Sequence, residues 1–273
     1  MTGVWWEYLV VFVATAGLCT VLTPWAMRLA LKKNLLDLPG GHKSHGTAIP
    51  YLGGVAIVTS FALMVVIVSL FWPPNTGQNE LLVVLAVAVF LSLVGLVDDL
   101  RHVSPLWRIV AEVAAAVVVW TGGTGVIVTT SEVANMSLTV LWLVGITNAF
   151  NLLDNMDGLA AGIAAISSLT IFAIAVTNGQ FLVAALAVGL AGCAIGFLRH
   201  NFHPARIFMG DGGALFVGFL IAYLGIKMRF ESGRLVSAIV PLLVCSVAIL
   251  DTTLVTISRL TTGRSPFLGG QDH

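Results

Sequence analysis

Two adjacent carboxylates, Asp98 and Asp99, close the stretch GLVDDL at 95–100 in a chain that is otherwise mostly Leu, Val, Ala and Ile. Like charges this close repel, and one is driven towards protonation unless a cation sits near, so the pair suits a divalent metal or a proton-accepting role. A helix cap and surface turn, with Ser104 and Pro105 opening the next helix, would use the same residues. A second group is NAFNLLDNMDGLA at 148–160. At about 100° per residue, Asn148, Asn151 and Asn155 share one helical face with Asp154 beside it. Asp157 falls opposite unless the helix ends first, which Gly158 permits. The third group places Asp211 in the glycine frame MGDGG at 209–213, just before an apolar run. A helix N-terminus offers unpaired N–H donors to a phosphate, with Arg206 and His203 near in sequence, and a bridging cation such as Mg²⁺ would reconcile Asp211 with that anion.

Two further segments add cations. HKSHGTAIPYLGG at 42–54 supplies His42, Lys43 and His45, and RLTTGRSPFLGGQDH at 259–273 supplies Arg259, Arg264 and His273. Asp251 lies in an apolar run, where a carboxylate is a functional candidate by default.

These side chains must be positioned by membrane helices. The 273 residues are 58% hydrophobic and 10% charged, which excludes an ordinary soluble domain. Hydropathy windows of about 19 residues give nine apolar stretches, at roughly 5–31, 51–72, 81–97, 106–121, 138–153, 158–177, 181–198, 212–228 and 235–258. The expectation is an all-α, polytopic bundle of about nine transmembrane helices forming a single domain over 1–273. Segment 121–137, rich in Gly and Thr, reads as a short turn or hairpin. Cys19, Cys193 and Cys245 lie in apolar stretches without CxxC spacing and read as packing residues. The first stretch lacks a preceding basic region and is not read as a cleavable signal.

The zero net charge hides an asymmetry. Arg28, Lys32, Lys33, Lys43, Arg101, Arg108, Arg199, Arg206, Arg259 and Arg264 fall on one side of the expected membrane; Lys227, Arg229 and Arg234 fall on the other. The positive-inside rule makes the first side cytoplasmic and puts the N-terminus outside. All six His and every Asp except Asp251 collect on that inner side, whereas Glu7, Glu80, Glu132 and Glu231 lie outside and Glu112 within the fourth stretch. Solvation alone would not separate Asp from Glu, so a concave inner-face site rich in short carboxylates is expected. An ionised group at membrane depth costs about 3 kcal/mol unless it meets a partner or wet cavity, so the Asn/Asp stripe must look inward.

Taken together, VDDL at 97–100, NAFNLLDNMDGLA at 148–160, ARIFMGDGGALFVGF at 205–219 and GRSPFLGGQDH at 263–273 resemble the polyprenyl-phosphate N-acetylhexosamine-1-phosphate transferases, of the glycosyltransferase family 4 type. Within them the chain resembles the bacterial undecaprenyl-phosphate N-acetylglucosamine-1-phosphate transferases. The resemblance implies transfer of a sugar 1-phosphate from a cytosolic UDP-sugar to a polyprenyl phosphate at the bacterial inner membrane, with release of UMP, an early step in cell-envelope polysaccharide synthesis. It implies Mg²⁺, with Mn²⁺ as a substitute, and is compatible with a homodimer; nucleic acid is not expected as a partner. By motif matching, Asp98 accepts the lipid phosphate's proton or orients it, and Asp99 supports it. Asp211 is the first metal ligand. Asn151 and Asp154 hold metal waters or diphosphate oxygens, with Asp154 also a metal candidate. Asp157 and Phe208 would contact uridine, and Lys43, His45, Asn148, Arg206, Arg264 and His273 phosphate or sugar. Family members have about eleven spans and a histidine motif running past its first His, so the resemblance implies that a chain ending at His273 lacks the family's C-terminal end.

Three other readings compete. CDP-alcohol phosphotransferases also carry DxxDG, but their pattern needs Arg where Gly162 stands and further aspartates at short spacing. The phospho-MurNAc-pentapeptide transferases share the chemistry, and IPYLGG at 49–54 with the GRSPF tail favours the N-acetylglucosamine branch. A transporter would place polar groups at the midplane and both mouths, whereas here they gather at one.

Overall fold

The computed structural model describes residues 4–37, 48–71, 77–101, 103–231 and 233–263. These form ten helices: α1 (Trp5–Lys33), α2 (Gly53–Phe71), α3 (Gln78–Arg101), α4 (Pro105–Thr121), α5 (Glu132–Leu153), α6 (Leu159–Thr177), α7 (Phe181–Asn201), α8 (Asp211–Lys227), α9 (Arg234–Val244) and α10 (Ser246–Thr261). Two short strands, β1 (Leu36–Asp37) and β2 (Ile49–Pro50), pair antiparallel between α1 and α2. The all-α membrane bundle expected from hydropathy is present. Six of the helices (α1, α2, α3, α5, α6 and α7) are long and apolar enough to cross a membrane, and the bent pair α9–α10 makes a seventh span if counted as one. α4 and α8, 17 residues each, occupy two more of the nine apolar stretches.

Two elements differ from the sequence reading. The run at 235–258 is not one straight helix: α9 and α10 meet at Cys245 with a bend of 67°. Pro241, one turn earlier, has no N–H for the helical ladder, which weakens it at the bend. α5 begins at Glu132, inside the stretch read as a turn, because Ser131 caps it by accepting from the Ala134 N–H. The Asn135 side chain then holds the preceding loop, accepting from the N–H groups of Val128 and Thr129 and donating to the Thr129 carbonyl.

α8 is the axis of the bundle. Every residue from Gly212 to Ile226 is buried, so its apolar surface faces protein on all sides. α3 and α5 pack most extensively against it, while α1, α6 and α7 form a neighbouring layer. The contact with α3 is backbone-close. A Cβ at Gly95 would lie 2.6 Å from both the Asp211 carbonyl carbon and the Gly212 nitrogen, a space only glycine leaves open. Elsewhere the surface is apolar as lipid requires: Leu70, Val133, Leu141, Leu243 and Leu254 are each at least 66% exposed.

Candidate active site

The site forms where α3 ends, α4 and α8 begin, and α5 stops. Asp98 and Asp99 ride the last turn of α3, and Pro105 at the first position of α4 turns the chain straight back, bringing Arg108 beside them. Arg108 is the hub. Its Nη1 donates to Asp98 Oδ2 and Asp211 Oδ2, 2.8 Å each, and its Nη2 donates to Asn151 Oδ1 at 3.1 Å. Asn151 closes the ring by donating from Nδ2 to Asp211 Oδ1 at 2.6 Å. Four helices, α3, α4, α5 and α8, thus meet on one guanidinium. The side chains of Arg108 and Asp98 are 17% and 11% exposed and that of Asp211 31%, so the pairs are sheltered from solvent screening and Asp211 opens outward.

Asp99 and Asp154 are tied to backbone. The two Asp99 oxygens accept the N–H groups of Asp211 and Gly212 at 3.0 and 3.2 Å. The amides read from sequence as a phosphate cradle at the start of α8 are therefore filled by an internal carboxylate, which suits a helix N-terminus equally well. Asp154 follows the last residue of α5, and its Oδ2 accepts from the Gly210 N–H at 3.1 Å. Burial, reinforced by the charges of Asp211 and Asp99, pushes the Asp154 carboxyl well above the usual carboxylate range.

α5 stops at Leu153, so the helical face expected to include Asn155 ends before it. Asn155 is exposed and donates to the Leu152 carbonyl. Gly158, at φ +72°, then opens α6. Asp157 lies in the intervening turn, where its Oδ2 pairs with His203 Nδ1 at 2.8 Å and accepts from the Ala205 N–H at 3.0 Å, clamping the loop before α8. That loop is also stitched to IPYLGG: Phe208 N–H donates to the Pro50 carbonyl, and the Gly53 and Gly54 N–H groups donate to the Phe208 and Met209 carbonyls. The exposed Arg206 side chain donates to the Arg199 carbonyl. Asn148 donates to Glu112 on α4. Lys43, His45, Arg264 and His273 lie outside the described residues.

Arg108 and Glu112 were absent from the sequence-derived site. Charge sidedness alone makes Arg108 a topology determinant, although a carboxylate four residues further into an apolar stretch needs a polar partner and thereby signals a wet interior at α4. Among the described residues no three His, Cys, Asp or Glu side chains are grouped as a ready metal cage. The donor set nonetheless fits Mg²⁺, which takes oxygen ligands and is commonly held by one or two carboxylates plus substrate phosphates. Asp211 and Asp154 supply such carboxylates on neighbouring backbone.

The profile of glycosyl transferase family 4 matches residues 81–229, the segment from α3 through α8 that carries Asp98, Asp99, Arg108, Asn151, Asp154 and Asp211. The chain is 32% identical over 260 residues to the probable undecaprenyl-phosphate N-acetylglucosaminyl 1-phosphate transferase of Bacillus subtilis, covering 92% of this chain and 71% of the relative. It is 31% identical over 294 residues to the decaprenyl-phosphate N-acetylglucosaminephosphotransferase of Mycolicibacterium smegmatis, covering 95% and 72%. A phospho-N-acetylmuramoyl-pentapeptide-transferase of Anoxybacillus flavithermus is 30% identical over 282 residues, covering 94% and 83%. The chain belongs to glycosyl transferase family 4.

Proposed function

We propose that this protein transfers N-acetylglucosamine 1-phosphate from UDP-N-acetylglucosamine to a polyprenyl phosphate, releasing UMP, with its site at the cytoplasmic face of a bacterial inner membrane. The observation that carries the reading is the convergence of Asp98, Asn151 and Asp211 on Arg108 at one end of the bundle. Relatives named for this chemistry, aligned over more than nine tenths of the chain, support the substrate class.

The reaction brings together a lipid phosphate and the two phosphates of UDP. An oxygen of the lipid phosphate attacks the sugar-bearing phosphorus as the bond to the bridging oxygen breaks, and that oxygen leaves with UMP. Anion repulsion is the main barrier to assembling these groups, so positioned cations carry most of the catalysis. Mg²⁺ held by Asp211 and Asp154 would neutralise diphosphate charge. Arg108 supplies a second, permanent positive charge at the site, and Asp98 orients the lipid phosphate and takes any remaining proton. Asn151 fixes the Asp211 carboxylate, and Asp99 locks the start of α8 so that Asp211 cannot swing away. With a second phosphate pKa of about 6, the lipid phosphate is already largely dianionic near neutral pH, and proton abstraction is a minor contribution.

An apolar groove is available to the prenyl tail. A cavity of about 760 Å³ lies among α5, α8, α9 and α10, with Leu141, Trp142, Ile146, Leu242 and Ile249 in its wall. Its α5 wall includes Ala149, next to Asn148 and two residues from Asn151, so one helix faces both an apolar groove and the polar site. The bend between α9 and α10 shapes the opposite wall.

The deciding experiment incubates the purified protein with polyprenyl phosphate and radiolabelled UDP-N-acetylglucosamine, with and without Mg²⁺. Mg²⁺-dependent UMP release with a labelled lipid product is expected, together with its loss in Asp211→Asn. Exclusive use of UDP-MurNAc-pentapeptide would move the protein to the branch of the Anoxybacillus relative, and release of no UMP with either donor would overturn the transferase reading.

A further inference from the structure

Arg108 holds the atoms that a metal would seek. Its guanidinium is permanently charged and sits 2.8 Å from one oxygen each of Asp98 and Asp211, so it neutralises the carboxylates of the proposed cation site. A hard cation bound to Asp211 would compete for the same lone pairs and repel Arg108. Entry of the cation therefore requires the guanidinium to shift, and a largely buried charge shifts most readily to another partner of opposite charge close by, since a stranded buried ion is strongly penalised.

One turn along α4 stands such a partner. Glu112 is 2% exposed; its Oε2 accepts from Asn148 Nδ2, while its Oε1 is buried with no hydrogen-bond partner among the described residues. Arg108 Nε is likewise buried with none. An unpaired donor and an unpaired acceptor, four residues apart on one helix, lie within reach of each other, since side chains at i and i+4 share a face. Leaving each unmet carries a desolvation cost that a fold seldom bears without cause. The two atoms are unpaired here because the guanidinium fork is engaged with Asp98 and Asp211. Asn148, which fixes Glu112, lies one turn before Asn151, which holds Arg108 in its present place, so α5 braces both positions. Basic-before-acidic is the weaker order for an i,i+4 pair, which keeps Arg108 on Asp98 and Asp211 until a cation displaces it.

We propose that Glu112 is a positioning residue that receives Arg108 when a divalent cation takes the Asp211 carboxylate, Arg108 and the cation being alternative partners of that carboxylate. This rests on the reading of the protein as a metal-dependent transferase, and binding without turnover tests it. The full-length protein in detergent is titrated with Mn²⁺, and free Mn²⁺ is read by electron paramagnetic resonance for the wild type, Arg108→Gln, Glu112→Gln and the double variant, each first checked for monodisperse elution. Arg108→Gln removes the competitor and is expected to tighten Mn²⁺ binding at least about threefold. Glu112→Gln removes the receiving partner and is expected to weaken it by a similar factor. In the Arg108→Gln background Glu112→Gln should then have little further effect, because residues acting through one network are coupled. Weaker binding in Arg108→Gln overturns the proposal, as does a Glu112→Gln loss of equal size in both backgrounds, which would mark Glu112 as a distant charge only. If Glu112→Gln is not recovered folded, the sign of the Arg108→Gln effect decides. Absence of Mn²⁺ binding in all four proteins would overturn the metal reading itself, and this proposal with it.

Discussion

The side chains at this site differ in what fixes them. Asp211 and Asn151 are held by another side chain, Arg108, whereas Asp99, Asp154 and Asp157 are held by backbone N–H groups of the chain around α8; Asp98 has both, Arg108 on one oxygen and the Val103 N–H on the other. The first set can rearrange when charge enters; the second sets the frame. Asp154 links the two, because burial and its acidic neighbours raise its affinity for a proton. With its folded-state pKa above that of the unfolded chain, protonation of Asp154 favours the fold as pH falls, and ionisation costs stability as pH rises through the raised value. Mild acid is therefore expected to lower the rate before it lowers the melting temperature. In pH profiles of kcat/KM, the acid limb should move to lower pH as Mg²⁺ is raised, since a bound cation favours the ionised carboxylate. A limb that ignores Mg²⁺ and persists in Asp154→Asn would remove Asp154 from metal binding.

At the scale of elements, the decisive contact is α3 against α8. Gly95 lets the two backbones meet, which sets Asp99 under the first amides of α8 and carries Asp98 within reach of Arg108. Gly95→Val would push the helices apart, and overpacking of this kind costs about 1–3 kcal/mol. The variant is expected to melt several degrees lower in detergent and to lose most UMP release, because the two aspartates move with α3. Wild-type melting and activity would show that the helices have room to spare. The periodicity of α5 was legible from sequence, but its end was not: Asp154, Asn155 and Asp157 continue the polar pattern after the helix has stopped at Leu153. The bend at Cys245 was equally hidden, since Pro241 inside an apolar run is compatible with a straight span until neighbouring helices are known.

Across the whole molecule, α3 and α8 run antiparallel with a polar cluster at each end. Opposite the site, Glu80 Oε1 accepts from Thr124 Oγ1 and Tyr223 Oη and pairs with Lys227. This second cluster joins the start of α3 to the end of α8 and ties both to the loop before α5. The distribution of Lys and Arg is the ground for the proposal that the carboxylate end faces the cytoplasm. Topology can be read by cysteine labelling, because the native cysteines are buried. Thr129→Cys, in the loop between α4 and α5, is expected to react with a membrane-impermeant maleimide in intact cells. Met156→Cys, 51% exposed at the site end, should react only after permeabilisation. The reverse pattern would place the carboxylates outside and remove cytosolic UDP-sugar as donor.

The sequence by itself determined that this is a helical membrane protein and that its short carboxylates gather at one end, because apolar run length and charge sidedness are properties of the chain in lipid, whatever its packing. Its motifs also carry the likeness to glycosyl transferase family 4, to which the chain belongs. Only the tertiary structure decided which polar groups hold one another. Arg108 looked like any basic residue at a helix start, and Glu112 like a stray charge, until the packing of α4 between α3 and α5 set them against Asp98, Asp211, Asn151 and Asn148. Likewise Asp99 became a helix cap rather than a free carboxylate because α8 starts directly beneath it. Such partners come from positions up to 113 residues apart, and the desolvation that makes their pairing count exists only once the helices have closed around them.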